Sequence, residues 1–354
     1  MENDLKTLFS KRKAKILKTL KSYLLRKETK KLLSLPWEDK LPEKLLAFTD
    51  GGKCLRGNLL LIGASLAGGN IDDYLPAAAA IELFQSGILM HDDIIDQDLM
   101  RRGKPSAHAA FASFLKAKKF RETEKTGESL AICLGDIALM LTYALLMETK
   151  CSSERKVKAA SYWGREFAHV GAAEMEDTYL ALEKGLPEEK RILALYVGKT
   201  AGYTMTVPLV TGAMLAGGKP ELITCLEKYA LALGTLFQVK DDELGLFGSE
   251  KALGKPIGSD IREGKKTIFW QKLMTKASAK EKLELSKIFG SEKVTAKEIE
   301  KVREMMKAKG VTEEVNKLSL SLAAKARAAA QKIEDEKGKE ILLSLIELSL
   351  KRTA

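Results

Sequence analysis

The chain is short of the residues that staple, kink or ligate: its 354 residues include four cysteines, eight prolines and three histidines. Cys54, Cys133, Cys151 and Cys225 are scattered, with no CxxC pair and no histidine cluster beside them. That spacing argues against a disulfide framework and a zinc site, and it leads to the expectation of a reducing, cytoplasmic setting. No stretch approaches the roughly 20 uncharged apolar residues that span a bilayer. The N-terminus, charged throughout, does not read as a secretory signal. Scarce proline, abundant Ala, Leu, Lys and Glu, and few alternating β-branched runs predict an all-α protein.

What is present is charge of both signs with a basic excess, +11 overall, on a chain whose 45% hydrophobic content is ordinary for a packed domain. The excess fits nucleic acid, an anionic membrane surface or polyanionic small substrates, and composition does not choose among them. Helical periodicity covers about 5–33, 41–66, 77–100, 128–149, 153–184, 188–216, 220–247 and 268–290, with glycine or proline stops between. Thr295 and Glu298 have capping-box spacing, and a further helix is expected from Thr312. No linker interrupts the pattern, so residues 1–354 are expected to form one helical domain, with 1–40 a basic N-terminal region that reads as a solvated amphipathic surface. Residues 249–266, rich in Gly, Lys and Asp, read as a ligand loop rather than a spacer.

Aspartate gathers in two places: Asp92-Asp93-Ile94-Ile95-Asp96, with Asp98 following, and Asp241-Asp242-Glu243. On a helix Asp92 and Asp96 lie one turn apart on one face, about 6 Å between attachment points. Ionised carboxylates so placed repel each other unless a cation stands between them, and a helix C-terminus makes the repulsion worse. Carboxylates without histidine or cysteine partners suit Mg²⁺. Taken alone, each cluster is also what an exposed helix end or a turn would show. Basic residues alternate with these acids: Lys53 and Arg56 after Gly51-Gly52, then Arg101-Arg102-Gly103-Lys104, Lys199-Thr200, and Lys255, Lys265 and Lys266. Lys53 and Arg56, three apart, are expected on one helical face, a geometry suited to one diphosphate.

The runs GGKCLRG (51–57), HDDIIDQDLMRRGKPSAH (91–108), GKT (198–200), FQVKDDELGLFG (237–248) and GKPIGSDIREGKKT (254–267) resemble, in order and spacing, the trans-isoprenyl diphosphate synthases. The resemblance implies the isoprenoid synthase fold, a single bundle of ten or more helices around a central cavity. It implies head-to-tail condensation of isopentenyl diphosphate with an allylic diphosphate, in a homodimer that binds no nucleic acid and has no transmembrane segment, with peripheral membrane contact left open. Asp92, Asp96 and Asp241 would hold about three Mg²⁺ ions, with Asp93 and Asp242 in support. Arg101, Lys199, Lys255 and Lys265 would clamp the allylic diphosphate. Lys53, Arg56, Arg102 and Gln85 would take isopentenyl diphosphate, and Thr200 and Gln238 would present oxygens to the carbocation. His91 is expected as a supporting group rather than a base. Departures from the common pattern are Cys54 for arginine, Gly57 for proline, Glu174 for glutamine and Gly245 for the last aspartate of the second motif.

The growing tail is expected to run back along the aspartate-bearing face past Ile88, Gly87 and Phe84. Gly87 would leave the pocket floor open and Phe84, one turn deeper, would close it, giving a product of roughly C20 to C25, since a turn matches about one isoprene unit. Gly87 would equally serve close helix packing. Rival readings are a farnesyl (C15) synthase, a non-catalytic subunit of a heteromeric synthase, a class I terpene cyclase and a basic nucleic-acid binder. The intact first motif disfavours the non-catalytic subunit. The Asp241-Asp242 pair and the second basic set disfavour the cyclase, and acids among the contact residues disfavour the nucleic-acid binder.

Overall fold

The computed structural model describes residues 2–248, 258–291 and 293–352. The helices are α1 (Glu2–Leu24), α2 (Lys27–Leu32), α3 (Leu41–Asp50), α4 (Leu55–Leu66), α5 (Leu75–Ile95), α6 (Ala107–Ala117), α7 (Thr123–Leu146), α8 (Ser153–Leu182), α9 (Glu189–Tyr196), α10 (Val207–Ala216) and α11 (Pro220–Phe247). They continue with α12 (Ser259–Arg262), α13 (Ile268–Lys276), α14 (Ala279–Ile288), α15 (Ala296–Ala308), α16 (Val311–Ala330) and α17 (Glu336–Leu350). A π-helical stretch, Val197–Thr206, joins α9 to α10, and the hairpin β1 (Met100–Arg101) and β2 (Lys104–Pro105) follows α5. The all-α expectation holds.

The chain divides into two compact units: Asn3–Ser161 with Pro208–Lys219, and Tyr162–Val207 with Pro220–Ala354. In the first, α4 is buried on nearly every side from Gly57 to Ala64, and α5 is buried from Ala77 to Phe84. Helices that are apolar all round belong in a core. The basic N-terminal segment is tied to this unit by ion pairs, Lys13 to Asp50, Lys15 to Asp72, Arg26 to Glu148 and Lys30 to Glu43. Part of the positive excess is therefore spent on docking α1 and its neighbours. In the second unit α11 buries Leu226, Tyr229, Leu233 and Leu236, and Tyr229 donates its hydroxyl to the Leu342 carbonyl at 2.7 Å.

Several expected helices are divided. The 41–66 pattern breaks at Gly51–Cys54, where Cys54 takes the left-handed conformation (φ 51°). Lys53 therefore precedes α4 instead of sharing a helical face with Arg56, which corrects the geometry expected of that pair. The helix expected over 77–100 stops at Ile95, and 5–33 and 268–290 are each two helices. Thr295 and Glu298 form the expected capping box. By length and composition α7 and α11 would pass as membrane spans, as buried core helices also do, but charged residues interrupt both and neither has the roughly 20 uncharged apolar residues of a span. Buried faces account for 44% and 56% of their apolar windows.

Close packing of α4 on α10 depends on two glycines. A Cβ at Gly63 would lie 2.0 Å from the Leu209 carbonyl oxygen, and one at Gly212 would lie 1.9 Å from that of Leu60. Backbone cannot yield as a side chain does, so Gly212→Ala should cost about 1–3 kcal/mol. Urea unfolding of the variant beside the wild type measures this, and equal stability would refute the contact.

Candidate active site

In the first unit the acids collect at the end of α5. Asp92 lies in its last turn and Asp96 caps it, with the Asp96 amide donating to the Asp92 carbonyl at 2.8 Å. The predicted one-turn spacing is therefore present, and so is the predicted helix C-terminus. Arg101 answers this negative end. Its Nη2 lies 3.1 Å from Asp92 and 3.7 Å from Asp98, and it is paired with Asp93. Burial raises the Asp93 carboxyl above its usual range, with Arg101 pulling the other way. For Arg101 itself burial works against the charge, and the Asp93 carboxylate reverses that and raises it. The chain reverses after α5 at Gln97 (φ 55°), where the Asp98 amide donates to the Asp93 carbonyl at 2.8 Å, and this brings Arg101 back to the helix end. Arg102 (φ 53°) and Gly103 (φ 74°) are both left-handed, as a two-residue type I′ turn requires, and the turn holds Arg101 in the hairpin against Lys104.

Arg102 covers the glycine loop. A Cβ at Gly52 would lie 3.2 Å from its Nη1, and that same nitrogen donates to the Phe48 carbonyl at 3.3 Å. Beneath the loop is Glu82, 5% exposed, which accepts from the Gly57 amide at 2.7 Å. Burial pushes its carboxyl up, while the Gly57 amide, Arg56 and Arg102 hold it down. Glu82 thus ties the start of α4 to α5 beside the expected isopentenyl diphosphate residues. An acid inside the run AAAAIELF was the available signal, and sequence reasoning passed over it. Gln85, one turn on, has a buried Oε1 with no hydrogen-bond partner, an acceptor open to a donor. Lys53 is exposed. Burial pushes the Cys54 thiol up to about 12, so it is no nucleophile.

His91 points away from the α5 aspartates and toward α7. Its Nε2 lies 3.1 Å from the Ile132 carbonyl and 3.5 Å from Asp136, both on α7. This corrects its expected supporting role. Gly87 also faces α7, where a Cβ would stand 2.9 Å from the Gly135 carbonyl oxygen and 3.0 Å from Leu139. Its small size serves close helix packing, so the open-floor expectation for Gly87 is withdrawn. Phe84 is buried at 4% exposure, and Ile88, four residues before Asp92 on its own face, is partly open.

The second unit carries the other residues around a cavity of about 130 Å³, lined by Lys199, Thr200, Gln238, Asp242, Asp260 and Lys265 among others. Lys199 and Thr200 lie in the π-helical stretch, a form frequent at functional sites. Thr200 donates to Gln238 Oε1 at 2.6 Å, Gln238 Nε2 donates to Asp242 at 2.9 Å, and Tyr196 donates to the same carboxylate while accepting from the Ile268 amide at 2.8 Å. Burial, then the nearby Asp260, raises Asp242 well above the usual range. Lys199 bonds Glu174 at 3.0 Å and Asp177 at 2.5 Å. Burial opposes its charge, and these carboxylates more than restore it. Asp241 is ion-paired with Arg352, and Lys265 with Glu263 at 2.6 Å. Lys255 lies outside the described residues. A Cβ on Gly245 would stand 2.8 Å from an Asp260 carboxylate oxygen, so Asp260 fills the place a larger residue would take there. Tyr196, Asp177, Asp260 and Arg352 were not singled out from the sequence.

Among the described residues no group of three or more His, Cys, Asp or Glu forms a ready-made metal cage. Mg²⁺ does not need one, since it binds through one or two carboxylates and substrate phosphates. The α5 end fits such an ion: all-oxygen donors, with Asp92, Asp93 and Asp98 sharing the Arg101 guanidinium, and an Asp93 Oδ2 that is buried without a hydrogen-bond partner.

Residues 39–306 match the polyprenyl synthetase family. The chain is 30% identical to the short chain isoprenyl diphosphate synthase of Methanothermobacter thermautotrophicus, over 89% of this chain and 92% of that protein. It is 33% identical to the geranylgeranyl diphosphate synthase of Saccharolobus solfataricus, over 73% and 74%. Its fold is similar to the geranylgeranyl pyrophosphate synthase of Corynebacterium glutamicum, crystallised with isoprenyl diphosphate and magnesium (TM-score 0.85, 28% identity, 98% and 99% covered). With the acid end of α5 and its hairpin arginines in place, the match over most of its length makes this chain a member of the polyprenyl synthetase family and a prenyltransferase.

Proposed function

We propose that this enzyme condenses isopentenyl diphosphate head to tail with an allylic diphosphate, releasing diphosphate and an all-trans prenyl diphosphate of about C20 to C25. The carrying observation is the end of α5, where Asp92, Asp93 and Asp98 share one guanidinium and Asp96 stands one turn from Asp92. Relatives named geranylgeranyl diphosphate synthase support the lower end of that length range.

Asp92 and Asp96, with Asp241, would hold Mg²⁺ ions, about three in all. Bound there, Mg²⁺ neutralises the diphosphate and makes it a better leaving group. Arg101, already at the acid end, donates to the same diphosphate as negative charge grows on it. Asp241 must leave Arg352 to take up its role, and that exchange frees Arg352 for the anion. Lys199 carries a proton locked in place by Glu174 and Asp177, so it meets the substrate as a cation. Arg56, Arg102 and Lys53 bind the second diphosphate, with the loop braced by Glu82. The Thr200–Gln238–Asp242 chain orients oxygen dipoles toward the allylic cation. No side-chain nucleophile is required, in keeping with a buried Cys54.

Incubating the chain with Mg²⁺, isopentenyl diphosphate and farnesyl diphosphate should give a C20 product by mass. Asp92→Asn should lower kcat by about 100-fold or more at unchanged helicity. A wild type that elongates nothing, or an unimpaired variant, would overturn the reading.

Tail length is assigned to Ile88 and Phe84. Ile88→Phe should shorten the product by an isoprene unit or more and Phe84→Ala should lengthen it. Gly87→Phe should instead destabilise the fold through its contact with Gly135. Unchanged product masses in both Ile88 and Phe84 variants would remove the assignment.

The outward stripe of α7 is assigned to a second copy of the chain. Ile132, Met140 and Met147 recur along it at helical spacing with 44%, 66% and 39% exposure, an apolar face that needs cover. Sedimentation should find a dimer for the wild type and a monomer for Met140→Lys. A wild-type monomer at micromolar concentration would defeat the assignment.

A further inference from the structure

In the first unit, the connection between α2 and α3 meets the end of α6 and displays side chains that the catalytic reading does not use. Leu35 and Glu38 exchange two backbone hydrogen bonds, the Leu35 amide to the Glu38 carbonyl at 3.0 Å and the reverse at 3.2 Å. Pro36 and Trp37 are left at the tip of a tight turn, where proline fixes one backbone angle. The Glu38 carboxylate accepts from the Lys40 amide at 2.9 Å and pairs with Lys44, which ties the turn to α3. This braced turn holds an aromatic ring outward: Trp37 is 44% exposed, and Leu32, just before it, 69%. Across from it α6 runs out into Lys116, Lys118, Lys119, Phe120 and Arg121, all exposed, with Phe120 at 60%. Phe114 joins the two segments. Its ring centroid lies 6.3 Å from that of Trp37 and 4.6 Å from Lys118 Nζ.

From Ala107 to Arg121 the chain has four lysines and arginines and no acid. Among the described residues none of these four lies within ion-pair distance of a carboxylate. The acids of the neighbouring turn are taken, Glu38 by Lys44 and Glu43 by Lys30. Cations at a helix C-terminus answer the macrodipole, but that leaves the exposed rings and leucine beside them unexplained. A second copy of the chain would bring the same cations face to face across a two-fold axis. A single-stranded nucleic acid would stack on the rings and leave Leu32 in water. A bilayer interface answers both features, since tryptophan settles at headgroup level and unpaired lysines meet lipid phosphates. We propose that this surface docks the enzyme peripherally on an anionic lipid bilayer, with Leu32, Trp37 and Phe120 entering the interface and Lys116, Lys118, Lys119 and Arg121 on the phosphates. The use of the contact rests on the function proposed above, because a prenyl diphosphate has a hydrocarbon tail and an anionic head and partitions to the same interface. The docking itself does not depend on that function.

The test uses the full chain and two kinds of vesicle, phosphatidylcholine alone and an equal mixture of phosphatidylcholine and phosphatidylglycerol. Co-sedimentation should show the wild type on the mixed vesicles and at least about tenfold weaker binding to the neutral ones. Trp37→Ala and the double variant Lys118→Gln/Lys119→Gln should each lose about tenfold on the mixed vesicles, at unchanged turnover in vesicle-free buffer. Fluorescence locates the contact. Of the three tryptophans, Trp163 and Trp270 are buried, so a blue shift of emission on adding mixed vesicles reports Trp37 and should vanish in Trp37→Phe. Equal binding to both vesicles, variants that bind as the wild type does, or binding without the shift would overturn the proposal. So would a wild type that ignores vesicles while Trp37→Ala lowers its oligomeric state, which gives the surface to a second copy. Tighter binding of a single-stranded oligonucleotide than of mixed vesicles would overturn the choice of partner. Vesicle binding with the expected variant losses, in a chain that makes no prenyl diphosphate, would support the docking and remove only the use assigned to it.

Discussion

Carboxylates crowded at the C-terminal end of a helix are the constraint on which the α5 end of the first unit depends. The helix macrodipole is already negative there. Asp92, Asp93, Asp96 and Asp98 add to it within seven residues, and one of them, Asp93, is fully buried. Such an end holds together only with positive charge brought to it. Arg101 supplies the internal part because left-handed Gln97 reverses the chain after α5, and the two-residue turn with left-handed Arg102 and Gly103 then holds it in a hairpin. The same turn fixes Arg102 over the glycine loop. Acid end, hairpin and loop are therefore mechanically one device: the residue that neutralises the aspartates is the neighbour of the residue that shapes the loop. Arg101 is shared among Asp92, Asp93 and Asp98, and one Asp93 oxygen stays buried without a hydrogen bond.

Charge in the second unit is organised on the opposite plan. Lys199 is matched by Glu174 and Asp177, and Asp242 is buried beneath Tyr196 and Gln238. These groups are satisfied at rest, and their hydrogen bonds fix orientation before any ligand arrives. Glu174 stands where the resembling family commonly has glutamine, and its charge has a physical use here: with Asp177 it offsets the burial cost of the Lys199 ammonium. Asp241 is half-open and ion-paired with Arg352.

Chemistry was more legible in the sequence than local geometry. The acid pairs and basic runs are composed of residues that have few reasons to gather, so spacing alone exposed them. Helix limits set by periodicity held where nothing but packing acted: the 220–247 pattern is α11, end to end. They failed where the backbone itself was specialised. Cys54 is left-handed and breaks 41–66, and Val197–Thr206, which carries Lys199 and Thr200, is π-helical inside the expected 188–216 helix. Tertiary neighbours were also invisible. Gly87 and Ile88 are adjacent in sequence, yet only the position of α7 decides that the glycine packs and the isoleucine stays partly open. Glu82 and Tyr196 were missed for the same reason, since their importance comes from partners distant in sequence, Gly57 and Asp242.

Gly245 illustrates how a departure from a motif can be absorbed elsewhere. Read alone, glycine in place of the second motif's last aspartate removes a carboxylate. In three dimensions the space above Gly245 is occupied by the carboxylate of Asp260. A side chain at 245 would have to push that carboxylate aside, so the glycine gives the later aspartate its room. Asp260 in turn raises Asp242 and, more weakly, the Tyr196 hydroxyl, which keeps a proton between the two buried oxygens. The acid count near Asp242 is thus kept by the segment that follows α11 rather than by α11 itself. Because that carboxylate arrives on a separate segment, its distance from Asp242 depends on how residues 258–267 sit on α11, whereas an aspartate at 245 would be fixed by helical geometry alone.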